Sequence, residues 1–241
     1  MLRSVDHFAW APDGWATTLP AKSRVDWSAH LSRQRSECET LIARLQRGEP
    51  ALSTDGDDVK HVIFGDVLAL SAREKSTVTV LDYGGNLGDH YWLATALVPG
   101  VQFEYHCKEL PAIAAVGREL SPAVIWHTDD ACLLQKYDVV MFSSSLQYLP
   151  EWKDILGRAA AAAREYLFLS NTPTVQNVAT FVATERTAKM TNLLWQLNRA
   201  EVVETVASAG LRLIQEFAMG PYPQVANAPE QPTCAGWLFQ R

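Results

Sequence analysis

The sequence lacks three features that would assign it to a specialised class of protein. Its four cysteines, Cys38, Cys107, Cys132 and Cys234, form no CxxC pair, so neither a zinc site nor a disulfide framework is predicted. No apolar run approaches the roughly 18–20 residues of a membrane span, and no signal-peptide core is found near the N-terminus. Its 21 lysines and arginines are outnumbered by 27 aspartates and glutamates, which disfavours binding to a phosphate backbone. These absences predict a cytoplasmic protein that neither inserts into a membrane nor binds nucleic acid.

The composition is that of an ordinary globular protein. Of its 241 residues, 48% are hydrophobic and 20% are charged, which is sufficient for a substantial core without disulfides or metals. Residues 1–22 contain Trp10 and Trp15 but have no clear period, and we expect an irregular arm there. Helical periodicity then predicts helices over 26–47 and over about 58–73. Residues 1–75 are therefore predicted to form an arm and a helical cap.

Beyond residue 76, short apolar runs alternate with helical patterns. Strands are predicted at 78–81, 101–105, 123–126, 138–142 and 166–170. Helices are predicted between them at 88–97, 112–120 and 152–164. A further helix at 199–209 is followed by two strands at 211–217 and 234–239. This alternation predicts an α/β domain over 76–241, with a parallel sheet that is covered by helices on both faces.

The most informative segment is the glycine-rich turn after the first strand of that domain, Val78-Thr-Val-Leu-Asp-Tyr-Gly-Gly-Asn-Leu-Gly88. Its glycines permit positive φ and close approach of a ligand, and the helix that follows offers amide donors. The glycine order does not fit the dinucleotide fingerprint G-x-G-x-x-G. Asp82 would repel a pyrophosphate but attract a sulfonium or ammonium group. The turn therefore favours S-adenosylmethionine (SAM) over NAD, with a simple tight loop as the alternative.

Carboxylates after the next two strands extend this prediction to a nucleoside. Glu109 ends the second strand, 21 residues after the last glycine of the turn. A carboxylate in that position can accept two hydrogen bonds from a ribose diol, although a solvated carboxylate is the alternative. After the third strand, Asp129 or Asp130 can meet an adenine amino group or can equally cap the short helix that follows.

A second signature follows the fourth strand, Ser143-Ser-Ser-Leu-Gln-Tyr-Leu149. Together with Val80-Leu-Asp-Tyr-Gly-Gly-Asn-Leu-Gly88 and Lys108-Glu-Leu-Pro111, it makes roughly residues 76–240 resemble the class I SAM-dependent methyltransferases. More narrowly, the chain resembles a bacterial methyltransferase family with the motifs V-L-D-(F/Y)-G-G-x-L-G, V-E-x-P and S-S-x-L-Q-Y-L. The sequence departs from that family at Lys108, where the family has valine, and at Asn171, where it has arginine.

The resemblance implies a Rossmann-like, seven-stranded methyltransferase sheet of order 3-2-1-4-5-7-6 with an antiparallel last strand. The cofactor SAM would lie across the ends of strands one, two and four. Asp82, Gly84 and Gly85 would hold its methionine part, Glu109 its ribose, and the first serines of the second signature would border its sulfonium. The cofactor-binding residues are then Asp82, Tyr83, Gly84, Gly85, Asn86, Gly88, Glu109, Asp129, Ser143 and Ser144.

Methyl transfer requires alignment of donor and acceptor and, for a hydroxyl acceptor, a general base. The catalytic candidates are His90, in the first turn of the helix after the glycines, and Tyr148, with His127 behind them. The helix dipole would lower the pKa of His90 and favour a neutral imidazole, although His90 can equally cap or pack the helix. An unperturbed phenol titrates at about pH 10, so Tyr148 is better suited to shaping the site.

The candidate acceptor-binding residues are Gln147, Trp152 and Tyr222. Other aromatic residues that either wall a pocket or belong to the core or to a homodimer contact are Trp10, Trp15 and Trp237. The sequence thus predicts a SAM-dependent methyltransferase with no metal, which acts on a hydroxyl or amine of a small molecule or sugar-like biosynthetic intermediate. The alternative is a catalytically silent binding or scaffold protein of the same fold.

Overall fold

The structure is a computed structural model that describes residues 7–17, 27–52, 59–186 and 191–241. Residues 1–6 and 18–22 of the predicted arm lie outside the described residues. The helices are α1 (Trp27–Gln46), α2 (Val59–Ser71), α3 (Asp89–Leu97), α4 (Pro111–Leu120), α5 (Trp152–Ala162) and α6 (Arg199–Ser208). The strands are β1 (His7–Trp10), β2 (Thr77–Tyr83), β3 (Gln102–Lys108), β4 (Ile125–His127), β5 (Tyr137–Ser143), β6 (Ala163–Val175), β7 (Phe181–Arg186), β8 (Thr191–Asn198), β9 (Arg212–Ala218), β10 (Val225–Ala226) and β11 (Thr233–Gln240). Short 3-10 turns span Gly14–Ala16, Asp130–Leu134 and Leu146–Tyr148.

Seven of these strands form the main sheet, in the order β4-β3-β2-β5-β6-β11-β9. Strands β2 to β6 pair in parallel, and β11 runs antiparallel to both β6 and β9. Numbered along the chain, these seven strands have the order 3-2-1-4-5-7-6 with an antiparallel last strand. The predicted methyltransferase fold class is therefore confirmed, although the complete sheet contains further strands joined to β6.

Helices cover both faces of the main sheet because its strands are apolar on both sides. Val78 and Val80 of β2 face one core, to which α2 contributes Phe64 and Leu68. Alternate positions of β2 point to the opposite core, which α5 and α6 complete. The N-terminal helices α1 and α2 pack directly on α3, α4 and the sheet. The division of the chain at residue 75 stays a prediction.

A second, smaller layer of strands begins at the carboxyl end of β6. Thr174 and Val175, the last residues of β6, pair with the end of β8. From there the order is β8-β7-β1-β10, with β7 antiparallel to both β8 and β1, and with β10 parallel to β1. We call these four strands the four-strand layer. The prediction of an irregular arm is wrong for residues 7–10, because β1 lies between β7 and β10 and buries Phe8 there.

The remaining departures concern element ends. The helix predicted at 152–164 ends at Ala162 because β6 begins at Ala163, and the segment between the last two predicted strands contains the two residues of β10. Across the part of the chain that the structure describes, none of the helices has the length and apolar character needed to cross a membrane. Within the same residues, no group of histidine, cysteine, aspartate and glutamate side chains is arranged to hold a metal ion.

Candidate functional site

The glycine-rich turn joins β2 to α3 at the carboxyl edge of the main sheet, where the sequence predicts it. Gly84 and Gly88 both have φ of +82°, a conformation that favours glycine. Gly88 is the N-cap of α3. The amide of Gly84 donates to the backbone oxygen of Lys108 at 2.9 Å. This hydrogen bond ties the turn to the end of β3.

Two glycines of the turn are required by contacts within the protein. A Cβ at Gly84 would lie 2.4 Å from the Cβ of Ser145, and a Cβ at Gly85 would lie 2.5 Å from Oδ2 of Asp82. The same Cβ at Gly85 would lie 2.7 Å from Sγ of Cys107. The turn therefore packs directly on the loop after β5 and on the Asp82 side chain beneath it.

Asp82 is completely buried below the turn. Its Oδ2 lies 2.8 Å from Nδ1 of His90 and accepts a hydrogen bond from the hydroxyl of Tyr105 at 3.1 Å. Its Oδ1 has no partner among the described residues. The carboxylate therefore contacts His90 of α3 and Tyr105 of β3, and it holds the turn in position from below.

His90 lies in the first turn of α3, as predicted, but its surroundings reverse the expected pKa shift. The side chain is buried against Asp82 and packs on the ring of Phe64 from α2. Burial by itself lowers the pKa of His90, but the charge of Asp82 and the hydrogen bond to it raise that pKa above its ordinary value overall. The prediction of a lowered pKa is wrong because a carboxylate at 2.8 Å outweighs a helix dipole. His90 is a structural partner of Asp82.

We expect an NMR titration to place the pKa of His90 above about 6.5 and to show a lower pKa in Asp82→Asn. Because folding raises this pKa, the ion pair stabilises the fold fully below about pH 6.5. That stabilisation is lost as the pH rises through the folded pKa, so the free energy of unfolding should decline there in the wild type but not in His90→Gln. His127 is an internal control in the same spectrum, because burial lowers its pKa. A His90 that titrates at or below about 6.5 would contradict the assignment.

Glu109 follows β3 and its carboxylate contacts the glycine-rich turn. Its Oε1 accepts the amide of Asn86 at 3.1 Å, and its Oε2 accepts the amide of Leu110 at 2.7 Å. Burial raises the pKa of Glu109, although these two backbone hydrogen bonds act against the shift. Each carboxylate oxygen can accept more than one hydrogen bond, so capacity remains for a ligand. Asn86 has φ of +54°, and its buried Oδ1 has no partner among the described residues.

Two other predicted cofactor-binding side chains are engaged elsewhere in the fold. The ring of Tyr83 is buried on the α5 side of the sheet, where it stacks on Phe142 with centroids 5.0 Å apart. Its hydroxyl donates to Oδ1 of Asp130 at 2.6 Å. Asp129 accepts the amide of Ala131 at 2.9 Å and caps the short 3-10 turn. The capping alternative is therefore the one that the structure shows for Asp129.

The serines after β5 lie beside the turn. The hydroxyl of Ser145 donates to the backbone oxygen of Tyr83 at 2.5 Å, and Ser170 of β6 donates to Oγ of Ser143 at 3.1 Å. Ser144 is exposed and has φ of +57°. These serine hydrogen bonds lie where the paired strands β2, β5 and β6 end at one edge of the sheet.

Beyond these serines, the 3-10 turn Leu146–Tyr148 meets the four-strand layer. The hydroxyl of Tyr148 donates to Oε2 of Glu185 on β7 at 3.1 Å. Burial, and then the charge of Glu185, raise the pKa of Tyr148, so this phenol is unsuited to act as a base. Tyr222 packs edge-to-face on Phe8, and Nε2 of Gln196 lies 3.5 Å from its hydroxyl. Glu185 and Gln196 were not identified from the sequence.

The other predicted acceptor residues separate into two groups. Gln147 lies in the same 3-10 turn, is 5% exposed, and has an Oε1 without a partner among the described residues. Trp152 is 3% exposed and packs in the core below α5, and its role in binding an acceptor stays a prediction. The first turn of α5 directs its ring inward. Trp237 is also a core residue, and Trp15 packs on Trp195 with centroids 5.5 Å apart.

No protein-family model matches the sequence, and the comparison with curated proteins likewise gives no match. Solved structures do match. An amino pentose methyltransferase from Micromonospora echinaspora with SAM bound is 16% identical, over 78% of this chain and 92% of that chain, with a TM-score of 0.52. The magnesium protoporphyrin IX methyltransferase of Synechocystis PCC 6803 is 15% identical, over 79% of this chain and 86% of that chain, with a TM-score of 0.50. A SAM-dependent methyltransferase from Clostridium acetobutylicum is 10% identical, over 85% of this chain and 98% of that chain, with a TM-score of 0.51. The chain therefore has the fold of the SAM-dependent methyltransferases.

Proposed function

We propose that the protein is a SAM-dependent methyltransferase that acts on a small-molecule acceptor. The proposal depends on one observation: the carboxylate of Glu109 accepts the amide of Asn86 at 3.1 Å, which joins the end of β3 to the glycine-rich turn. The exposed Ser144 lies at the neighbouring strand end. A sheet of this order carries its ligands at that edge. The methyltransferases of similar fold, two of them with SAM bound, support the same conclusion.

The residues at this edge fit the cofactor. Glu109 retains acceptor capacity for the ribose hydroxyls, and Asn86 presents a buried side-chain oxygen that has no donor among the described residues. Asp129 uses Oδ1 for its cap, so its other oxygen can accept the adenine amino group. Asp82 and His90 position the turn rather than contact the cofactor. When bound, SAM supplies a methyl group that is activated by a positively charged sulfonium.

The contribution of the protein to the reaction is alignment and exclusion of water. The 3-10 turn Leu146–Tyr148 contacts the four-strand layer next to the serines, and we place a small acceptor there. A catalytically silent binding protein is the second candidate. It is favoured by one observation, namely that neither predicted base is suited to accept a proton from an acceptor, since His90 is paired with Asp82 and the pKa of Tyr148 is raised by burial.

Calorimetric titration with SAM and S-adenosylhomocysteine (SAH) tests the proposal. We expect both to bind the wild type with micromolar Kd and expect NAD, the matched negative control, not to bind. If neither SAM nor SAH binds, the proposal is overturned. Consumption of SAM would then be measured with panels of amines and alcohols as acceptors, with heat-inactivated protein as the control. Consumption by the active protein alone would distinguish an enzyme from a silent binding protein.

A further inference from the structure

We infer that Asn171 is an acceptor-binding residue, whose amide group hydrogen-bonds an uncharged polar group of the acceptor beside the transferred methyl group. The inference rests on the proposed methyltransferase function. It adds to that function a residue on the acceptor side of the site and the chemical class of the group that this residue binds.

Asn171 lies where strand β6 changes its partner. Strand β5 pairs with β6 as far as Ser143 and Ser170, and β8 pairs with β6 only from Thr174 onward. On this edge, residues 171–173 of β6 therefore pair with none of the described strands, and we call this interval the β6 gap. The 3-10 turn Leu146–Tyr148 contacts both β6 and β8, so it borders the gap.

A β-bulge makes the side chain of Asn171 accessible at the gap. On the other edge of β6, which pairs with β11, Ser170 and Asn171 together lie opposite the single residue Gly236. A bulge of this kind bends the strand and redirects a side chain, and bulges are frequent next to active sites. Asn171 is half-buried, whereas all the other residues of the segment 166–175 are buried. Asn171 is therefore the side chain that this part of β6 leaves open to a ligand.

Backbone strain is concentrated at the same strand ends. Three of the four described residues other than glycine with positive φ are Asn86 after β2, Ser144 after β5 and Asn171, with φ of +54°, +57° and +51°. The fourth is Asn227, in the exposed loop after β10. The amide of Ser144 donates to the backbone oxygen of Ser170 at 3.0 Å, so Ser144 and Asn171 are close neighbours. Strained residues cluster at active sites and ligand-binding sites, and here they coincide with the proposed cofactor edge.

The side chains that meet at the β6 gap are polar and uncharged. The Sγ of Cys234 lies 4.0 Å from Oδ1 of Asn171, and burial raises the pKa of this thiol, which keeps it protonated. Nδ2 of Asn171 makes no hydrogen bond to the described residues, so both of its N–H donors are available. Ser144 is exposed, and Oε1 of Gln147 in the bordering turn is buried without a partner among the described residues. A hydroxyl or amide of the acceptor can use these groups, whereas a charged group would lose its hydration without gaining a counter-charge.

Sinefungin tests this assignment without knowledge of the natural acceptor. It resembles SAM but has an amine-bearing carbon in place of the methylated sulfur, so its ammonium lies where the transferred methyl group would be. SAH has no group in that position. Because the gap is uncharged, the wild type should bind sinefungin no more than about tenfold more tightly than SAH.

Asn171→Asp places a carboxylate at the gap and keeps the shape of the side chain. Opposite charges within about 8 Å of each other, at an effective dielectric constant of about 20, attract strongly enough to change a Kd by more than about tenfold. The ratio of the SAH Kd to the sinefungin Kd should therefore rise at least fivefold above the wild-type ratio. Asn227→Asp is the matched control, because it makes the same change at a similar φ in the exposed loop after β10, and it should leave the ratio unchanged.

The possible outcomes distinguish failure of this inference from failure of the proposed function. A rise of less than fivefold in Asn171→Asp would place Asn171 away from the transferred group and overturn the inference. A wild-type ratio above about tenfold would show that a charge already faces the ammonium, and it would overturn the uncharged class of acceptor group. Failure of SAH to bind the wild type would overturn the proposed function itself.

If Asn171→Asp does not fold, the wild type provides a second measurement. In the NMR spectrum of isotope-labelled protein, the side-chain amide of Asn171 is identified as the signal that is missing from Asn171→Gly, a substitution that suits a positive φ. This signal should shift when sinefungin replaces SAH, whereas the side-chain signal of Asn227 should not. An Asn171 signal that stays in place would overturn the inference.

Discussion

Replacing Glu109 with alanine should weaken SAH binding about 100-fold. The proposed role gives its carboxylate two hydrogen bonds to the ribose diol, and hydrogen bonds to a charged group contribute about 1.5 kcal/mol or more each. The substitution also removes the acceptor of the Asn86 amide at 3.1 Å, which loosens the glycine-rich turn. Calorimetric titration of SAH into the variant measures the loss, and a melting curve verifies that the variant is folded.

Glu104→Ala is the matched control for this prediction. Glu104 lies on β3, the strand that Glu109 follows; it is exposed and contacts His106 at 3.1 Å rather than the turn. Its removal should leave the Kd of SAH within about twofold. Glu109→Gln should fall between the two, because its amide oxygen keeps part of the acceptor capacity. Retention of wild-type affinity in Glu109→Ala would remove Glu109 from the site.

The main sheet could be predicted because its signals are local. The apolar run that becomes β2 is long enough to show a strand buried on both faces, and the glycines that follow mark the turn into α3. Pro111 begins α4 at the first helical position, as its fixed φ favours. Gly210, with φ of +88°, follows the end of α6. Each of these features is decided within a few residues of the chain.

The four-strand layer could not be predicted in the same way because long-range pairing defines it. Phe8 pairs with Glu185 of β7 and with Val225 of β10, residues from distant parts of the chain. Four residues of β1 carry no periodic signal by themselves. The alternation within 181–186 and 191–198 was the available signal for a hairpin, and it would have identified Glu185 and Gln196 as residues of one face.

Within the site, the sequence indicates which residues approach the strand ends but not what each side chain contacts. Asp82 and His90 are eight residues apart, and only the fold of the turn brings them to 2.8 Å. That contact decides the direction of the pKa shift of His90. Trp152 begins a predicted helix, but its inward direction depends on how α5 is rotated against the sheet. Charge partners and helix rotation are tertiary properties.

Gly85→Ala should destabilise the protein by about 2 kcal/mol or more, as overpacking of a tight site does. Gly85 is not among the residues with positive φ, so its backbone can accommodate alanine and any cost comes from space alone. The new Cβ would lie 2.5 Å from Oδ2 of Asp82 and 2.7 Å from Sγ of Cys107, both fixed side chains of the core. These close contacts are relieved only if the turn moves away from Asp82. That movement also separates the amide of Asn86 from Glu109. SAH binding should therefore be lost with the stability.

Gly157→Ala should instead stabilise the protein, because space is available for a Cβ at this position. Gly157 lies within α5, and a Cβ there would meet nothing within 4 Å. Alanine in a helix interior is favoured over glycine by about 0.5–1 kcal/mol, so this variant should be more stable than the wild type and bind SAH normally. Urea unfolding of both variants measures the two changes. If Gly85→Ala unfolds like the wild type, then the contact between the turn and Asp82 does not hold the turn, and the role assigned to Asp82 and His90 fails with it.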